Sequence, residues 1–269
     1  MTDEARNILV VAHGRRPDTV GAAARVIGAL RDAGATPVLS SDDRAELDSA
    51  IPGPLATLGA DVAVADIELA IVLGGDGTIL RAAELVREGS APVLGINMGH
   101  VGFLAEIERD DMDEAVRRVI DRDYTVEERL ALQVRIKDRD EQVIYETWAL
   151  NEATVEKASR ERMLEVVIEI DGRPLSSFGC DGIVVSTPTG STAYNFSAGG
   201  PVIWPGVEAI AVVPLSAHAL FAKPLVIAPE HTVAVELLER TNGTGILWCD
   251  GRRSHDLPAG ARVVVRRSE

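Results

Sequence analysis

Near residue 124 the spacing of apolar residues changes from a pattern that suits alternating strands and helices to one that suits strands alone. Upstream, NILVVA (7–12) reads as a buried strand, and TVGAAARVIGALRDAG (19–34) has helical spacing with Thr19 as cap and Gly34 as stop. ADVAVAD and LAIVLGG (60–75) supply strand material, TILRAAELVREGS (78–90) a helix, APVLGIN (91–97) a strand and DDMDEAVRRVIDRD (110–123) an amphipathic helix. That alternation implies a parallel sheet covered on both faces. Downstream, Leu130, Leu132, Val134 and Ile136 recur with period two, as do Leu164, Val166, Ile168 and Ile170. Further short strands follow in VIYETWALNEATVEKA, GIVVST, AIAVVP, TVAVELL and GILWCDG. The expected fold is an α/β domain with a parallel sheet over 1–123 and an all-β, sandwich-like domain over 124–250. The closing strand ARVVVRRSE, within 251–269, suits either domain.

Composition narrows the function. The length of 269 residues favours two domains, and 46% hydrophobic with 26% charged residues allows ample cores. No apolar run approaches the ~18 residues of a helical span, and MTDEARNILVVAHG opens polar and acidic, so neither a membrane span nor a secretory signal is expected. A net charge of −15 disfavours nucleic acid and anionic membranes as partners. Cys180 and Cys249 form no CxxC pair and read as small buried thiols suited to a reducing cytoplasm. His13, His100, His218, His231 and His255 show no HxxxH or HxH spacing, so no protein-built transition-metal site is expected.

Four stretches carry chemistry. The first is LAIVLGGDGTIL (69–80), a strand running through glycines into a helix. Such a turn offers backbone amides to an anion. It fits neither GxxxxGK[ST] nor GxGxxG. A carboxylate beside phosphates repels them unless it accepts a proton or faces a cation, which makes Asp76 a candidate general base for an attacking hydroxyl. The competing reading is a glycine turn with Asp76 capping the helix. The second, INMGHVGFLAE (96–106), read alone is a structural turn. The third, LNEAT (150–154), puts Asn151 and Glu152 in an apolar strand context, on opposite faces, so at least one reaches a site or a buried partner. The fourth, CDGIVVSTPTGSTAYNFSAGG (180–200), is dense in hydroxyls and glycines, with Tyr194 able to stack on a base; it suits a nucleoside.

GGDGT at 74–78, NMGHVGFL at 97–104, NE at 151–152 and DGIVVSTPTGSTAYNFSAGGP at 181–201 together resemble the hallmark segments of the NAD kinase family, in order and spacing. GGDGT alone is shared with diacylglycerol-type lipid kinases; the TPTGSTAY run is far more specific. ALFAKPLV also resembles a family element, with Ala217 and Lys223 where proline and arginine are common, which leaves the role of His218 open. A kinase of a lipid or sugar hydroxyl, and a non-catalytic dinucleotide sensor, are the rival readings; the sensor would need no carboxylate in the glycine loop.

The resemblance implies transfer of the terminal phosphate of ATP, or of polyphosphate, to the 2′-hydroxyl of the adenosine ribose of NAD. It makes Asp76 the proton acceptor and places Gly77 and Arg81 at the dinucleotide or its phosphates. It matches Asn151 and Glu152 to ribose and adenine contacts, and Asp181 to the nicotinamide end. It matches Thr192, Ala193, Tyr194, Asn195 and Ser197 to the adenine segment. Arg162 stands where a basic residue contacts substrate; Asp250 and Arg252 in CDGRR are weaker matches. Gly179, where a bulky polar residue accompanies preference for NAD over NADH, suggests tolerance of both. Mg²⁺ held largely by donor phosphates and water, and a homodimer or homotetramer, complete the expectation.

Overall fold

The computed structural model describes residues 6–13, 16–48, 50–99, 102, 104–105, 107–159, 163–219, 222–240 and 244–269, so Arg162 and His100 lie outside the described residues. The chain divides into two compact units, Met1–Glu127 and Glu128–Glu269.

The first unit holds strands β1 (Asn7–Ala12), β2 (Thr36–Leu39), β3 (Ala56–Thr57), β4 (Ile67–Leu73), β5 (Val93–Asn97) and β6 (Ile107–Glu108). They form one sheet in the order β3-β2-β1-β4-β5-β6, with parallel pairing throughout. Helices α1 (Pro17–Asp32), α2 (Ser41–Leu47), α3 (Asp76–Val86) and α4 (Met112–Asp121) connect them. Because side chains alternate across a strand, β1 and β4 feed two cores. Ile8, Val10, Leu69 and Ile71 pack with Val26, Ile27 and Leu30 of α1 and with Val116 and Val119 of α4. Leu9, Val11, Ala70 and Val72 pack with Ile79, Ala82 and Val86 of α3. Both sheet faces are covered, which is why these strands read as unbroken apolar runs.

Several boundaries differ from the sequence reading. Helix α1 begins at Pro17 rather than Thr19, because proline suits the first helical positions and Arg16 takes the cap without a side-chain bond. ADVAVAD is not a strand: Asp61 accepts a hydrogen bond from the Thr57 amide to close a turn, Val64–Asp66 form a 3₁₀ turn, and β4 begins only at Ile67. The helix after the glycine loop begins at Asp76 itself. Strands β2, β3 and β6 and helix α2 were not foreseen. Strand order reverses between β1 and β4, since the chain leaves β1 toward β2 on one side and β4 toward β5 on the other. Ligands of open parallel sheets bind in the crevice at the carboxyl ends of such a strand pair.

The second unit is a two-sheet antiparallel sandwich. One sheet runs β11 (Arg173–Cys180), β10 (Leu164–Ile170), β15 (Val233–Leu237), β18 (Arg262–Arg267), β7 (Leu132–Lys137), β8 (Val143–Ala149). The other runs β14 (Leu225–Ile227), β13 (Ile210–Leu215), β12 (Gly182–Ser186), β9 (Glu152–Lys157), β16 (Gly245–Cys249), β17 (Arg253–Leu257). Val134, Ile136, Val166, Val235 and Val263 of the first sheet meet Val155, Ile183, Val185, Val212 and Leu247 of the second in one core. Each such side chain fully buried is worth about 1.5–3 kcal/mol. The closing strand, β18, lies between β15 and β7 in this unit. The only α-helix here is α5 (Tyr194–Ser197), among the described residues. No helix among the described residues is long and apolar enough to cross a membrane.

Candidate active site

In the first unit the chemistry gathers at the carboxyl end of β4. Asp76 opens α3, with Gly75 as its cap residue in an extended conformation and no side-chain cap bond. The Thr78 and Ile79 amides turn back to the Gly75 carbonyl at 2.9 and 3.2 Å, so the approach left to an anion at the head of the helix is at Gly77, where the dipole favours negative charge. Gly102 and Leu104 of the second stretch, a structural turn when read alone, lie against this aspartate. Asn97, at the end of β5, accepts from the Gly99 amide and donates to Glu108, which turns the chain. The Leu104 amide then donates to Asp76 Oδ1 at 3.1 Å. Gly102 lies so close that a Cβ there would stand 2.6 Å from the same oxygen. Position 102 must be glycine for the carboxylate to sit where it does.

Gly77 is exposed, and a side chain there would meet nothing within 4 Å, so the backbone at this point is open to approach. Arg81, on the next turn of α3, sends Nη2 to Asp43 Oδ1 at 2.7 Å and to the Ala12 carbonyl, the end of β1, at 3.2 Å. Asp43 was not singled out from the sequence. Its signal was present in Ser40, which caps α2 by accepting from the Asp43 amide at 3.1 Å.

The second unit assembles the LNE and STPTGSTAYN segments. Thr187 donates to the Leu150 carbonyl at 2.6 Å, and its amide donates to the Asn151 carbonyl at 2.9 Å. A Cβ on Gly190 would stand 2.0 Å from the Asn151 carbonyl oxygen, a contact no side chain tolerates. Asp250 clamps the same segment from the β16–β17 turn, accepting the amides of Leu150 and Asn151 at 3.0 and 2.7 Å. Arg253 supplies its counter-charge at 2.6 Å and lies 4.5 Å over the Trp148 ring. Asp250 is thus a scaffold for the segment, with Arg253 as a basic partner.

Asn151 and Glu152 are both buried, and Asn151 Oδ1 and Glu152 Oε2 have no hydrogen-bond partner. Buried acceptors of this kind cost free energy unless a donor reaches them. Burial, reinforced by the Asp250 carboxylate, pushes Glu152 up to about 7, against a backbone hydrogen bond from Tyr194. Tyr194 is exposed, Thr192 and Ala193 are half-buried and Ser197 is exposed, around the turn into α5. Asn195 differs: it is fully buried and its amide donates to the Ser191 and Pro201 carbonyls, so it ties the loop together. Asp181 sits between β11 and β12, paired with Lys157, and Lys157, with Ser216 and His218, holds its carboxyl below the usual range. The His218 amide donates to the Gly179 carbonyl, which places His218 at this end of the sheet.

Among the described residues no group of three or more histidine, cysteine or acidic side chains converges as a metal cage. Magnesium carried by a nucleotide needs only phosphate and water oxygens with one or two carboxylates. Asp76, next to Gly77 at the head of the helix, is a carboxylate of that kind.

Comparison with known proteins accounts for both units. Residues 19–124 match the ATP-NAD kinase N-terminal domain, and residues 150–269 the ATP-NAD kinase C-terminal domain. An NAD kinase of Leifsonia xyli subsp. xyli is 64% identical over 265 residues, covering 98% of this chain and 87% of that protein. Yeast NADH kinase, solved with NADH, superposes with a TM-score of 0.88 at 25% identity, over 100% of this chain and 82% of its own. An NAD kinase from Archaeoglobus fulgidus, solved with ATP, gives 0.72 at 26% identity over 98% and 90%. With both of its units matched and its relatives alike over nearly the whole length, the chain belongs to the NAD kinase family.

Proposed function

We propose that the chain transfers the terminal phosphate of ATP to the 2′-hydroxyl of the adenosine ribose of NAD, giving NADP. The observation that carries the assignment of the acceptor is the pair of buried, unpartnered oxygens on Asn151 and Glu152, beside the exposed Tyr194 ring. Ribose hydroxyls and an exocyclic amine are the donors such acceptors need, and an aromatic ring suits a base. In this reading Asp76 takes the proton of the attacking hydroxyl as phosphorus approaches. Its orientation is supported by the Leu104 amide and by the missing side chain at Gly102. The amides around Gly77, and Arg81, face nucleotide phosphates. Asp181 meets the nicotinamide end, and Thr192, Ala193, Tyr194, Asn195 and Ser197 form the adenine segment, Asn195 by fixing its loop. Arg162 joins them by resemblance alone.

Mg²⁺ belongs to this proposal, held largely by donor phosphates and water; it would neutralise charge building on the transferred group. Polyphosphate as an alternative donor, a homodimer or homotetramer and a cytoplasmic setting rest on the family resemblance. Gly179 stands where, by the resemblance, a bulky polar residue accompanies preference for NAD, and this supports acceptance of NADH as well as NAD.

Incubation of the purified protein with Mg²⁺, either NAD or NADH, and either ATP or polyphosphate tests the reaction and its choice of acceptor and donor. NADP formation, read by an NADP-specific dehydrogenase, is the expected result with NAD and ATP. Phosphorylation of a lipid or sugar instead, or nucleotide binding without any turnover, would select one of the rival readings. No product from NADH would remove the Gly179 argument.

A further inference from the structure

The crevice between β1 and β4 is crossed by one side chain whose geometry is set by a residue with no assigned role. Arg81 reaches from α3 to the Ala12 carbonyl at the end of β1, and Asp43 of α2 receives the same Nη2 nitrogen. Asp43 is 1% exposed. Its own rotamer is fixed twice, by the Ser40 hydroxyl donating to Oδ2 at 2.9 Å and by its amide donating back to that hydroxyl. Burial pushes the Asp43 carboxyl up, and the Arg81 guanidinium works against that shift. A buried carboxylate is costly without its counter-charge, so Asp43 keeps Arg81 folded inward.

The pairing is end-on. Arginine–carboxylate pairs in this chain are either two-pronged, as Arg262 makes with Glu169, or end-on, as Arg253 makes with Asp250; the end-on form leaves the rest of the guanidinium uncommitted to the carboxylate. Arg81 commits Nη2 alone, and 27% of its side chain still faces solvent. An arginine held in place before a ligand arrives loses less freedom on binding than a mobile one. We infer that Asp43 is a positioning residue, which holds the Arg81 guanidinium at the carboxyl ends of β1 and β4 ready for the phosphates of a nucleotide. The inference rests on the reading of Arg81 as a phosphate contact proposed above. Those phosphates come either from the dinucleotide or from the donor, and the experiment separates the two.

The test compares the unaltered enzyme with Asp43→Asn, Arg81→Ala and the double variant. NAD and ATP are varied in turn while the other is saturating. Asparagine keeps the shape and one acceptor oxygen but removes the charge. The expected result is that Asp43→Asn raises the KM of one nucleotide about tenfold, the scale of a charge-assisted hydrogen bond, and leaves kcat within about twofold. The nucleotide whose KM moves identifies the source of the phosphates. Arg81→Ala should raise the same KM at least as much, and the double variant should match Arg81→Ala within about twofold, since Asp43 acts only through Arg81. Asp43→Glu, which restores the charge, should recover part of the loss. Multiplying effects in the double variant would overturn the inference. So would a lowered melting temperature of Asp43→Asn with both KM values unchanged.

If Arg81→Ala leaves both KM values unmoved, the phosphate-contact reading falls and the inference with it. Titration calorimetry of the same proteins with NAD and with ATP keeps the test independent of turnover. A native protein that binds both nucleotides but forms no NADP would defeat the functional reading alone. The affinities of the variants would then decide the role of Asp43.

Discussion

Asp76 is an acid whose position is specified by two residues more than twenty positions downstream. The Leu104 amide fixes one carboxylate oxygen, and Gly102 leaves the space that oxygen occupies. General-base assistance is worth on the order of 10² to 10⁴ in rate, so Asp76→Asn should lose that much kcat. NAD affinity, measured by calorimetry, should change little because the backbone amides remain. Near-native turnover would show the carboxylate to be structural. Glu152 gives a second test at this scale, through pH. Its folded value of about 7 lies above the ordinary 4.5 because it is buried beside Asp250. Between those two pH values the native state holds a proton that the unfolded chain has released, so stability falls as pH rises through the window and is level on either side. The drop for this one group is on the order of 3 kcal/mol. Urea unfolding at pH 5 and at pH 7.5 should show it in the native chain, and Glu152→Gln should flatten it.

At the scale of elements, the LNE segment ending in β9 is held from two sides that are distant in sequence. The turn after β12 contributes Thr187 and the bare backbone of Gly190; the β16–β17 turn contributes Asp250 with Arg253. Arg253→Ala would leave Asp250 buried without its counter-charge, at a cost of about 3–5 kcal/mol. Chemical unfolding followed by Trp fluorescence, which includes Trp148 under Arg253, should record that loss. This clamp also marks the limit of what the sequence discloses. Strands such as NILVVA and LEVVIEI were legible because a buried or half-buried strand leaves its period in the apolar residues. Asn151, Glu152 and Asp76 were legible because polar groups among glycines or apolar neighbours need a reason to be there. Asp250 as clamp, Asp43 as partner of Arg81, and Gly102 beside Asp76 were not, since each depends on contacts made only after folding. ADVAVAD misled because its alternation imitates a strand while the preceding turn and the 3₁₀ segment use its backbone otherwise.

For the molecule as a whole, the buried apolar clusters among the described residues each fall on one side of the division at Glu127. The second cluster of strands is closed from its far end: β18 is hydrogen-bonded to both β15 and β7 in the middle of its sheet. A chain shortened to residue 257 would expose two unpaired strand edges and remove Val263 and Val265 from the core. We expect the sandwich to lose its cooperative unfolding transition and become sensitive to protease, while cleavage within the helices and strands of the α/β unit stays slow. Equal resistance of the full-length and shortened chains would contradict this placement of β18. The same division gives the two thiols a use. Cys180 and Cys249 are fully buried, both belong to the sandwich, and the α/β half has none. Alkylating reagents can therefore mark only those moments when the sandwich opens, so the rate of labelling is a clock for breathing in the one half of the molecule that carries thiols.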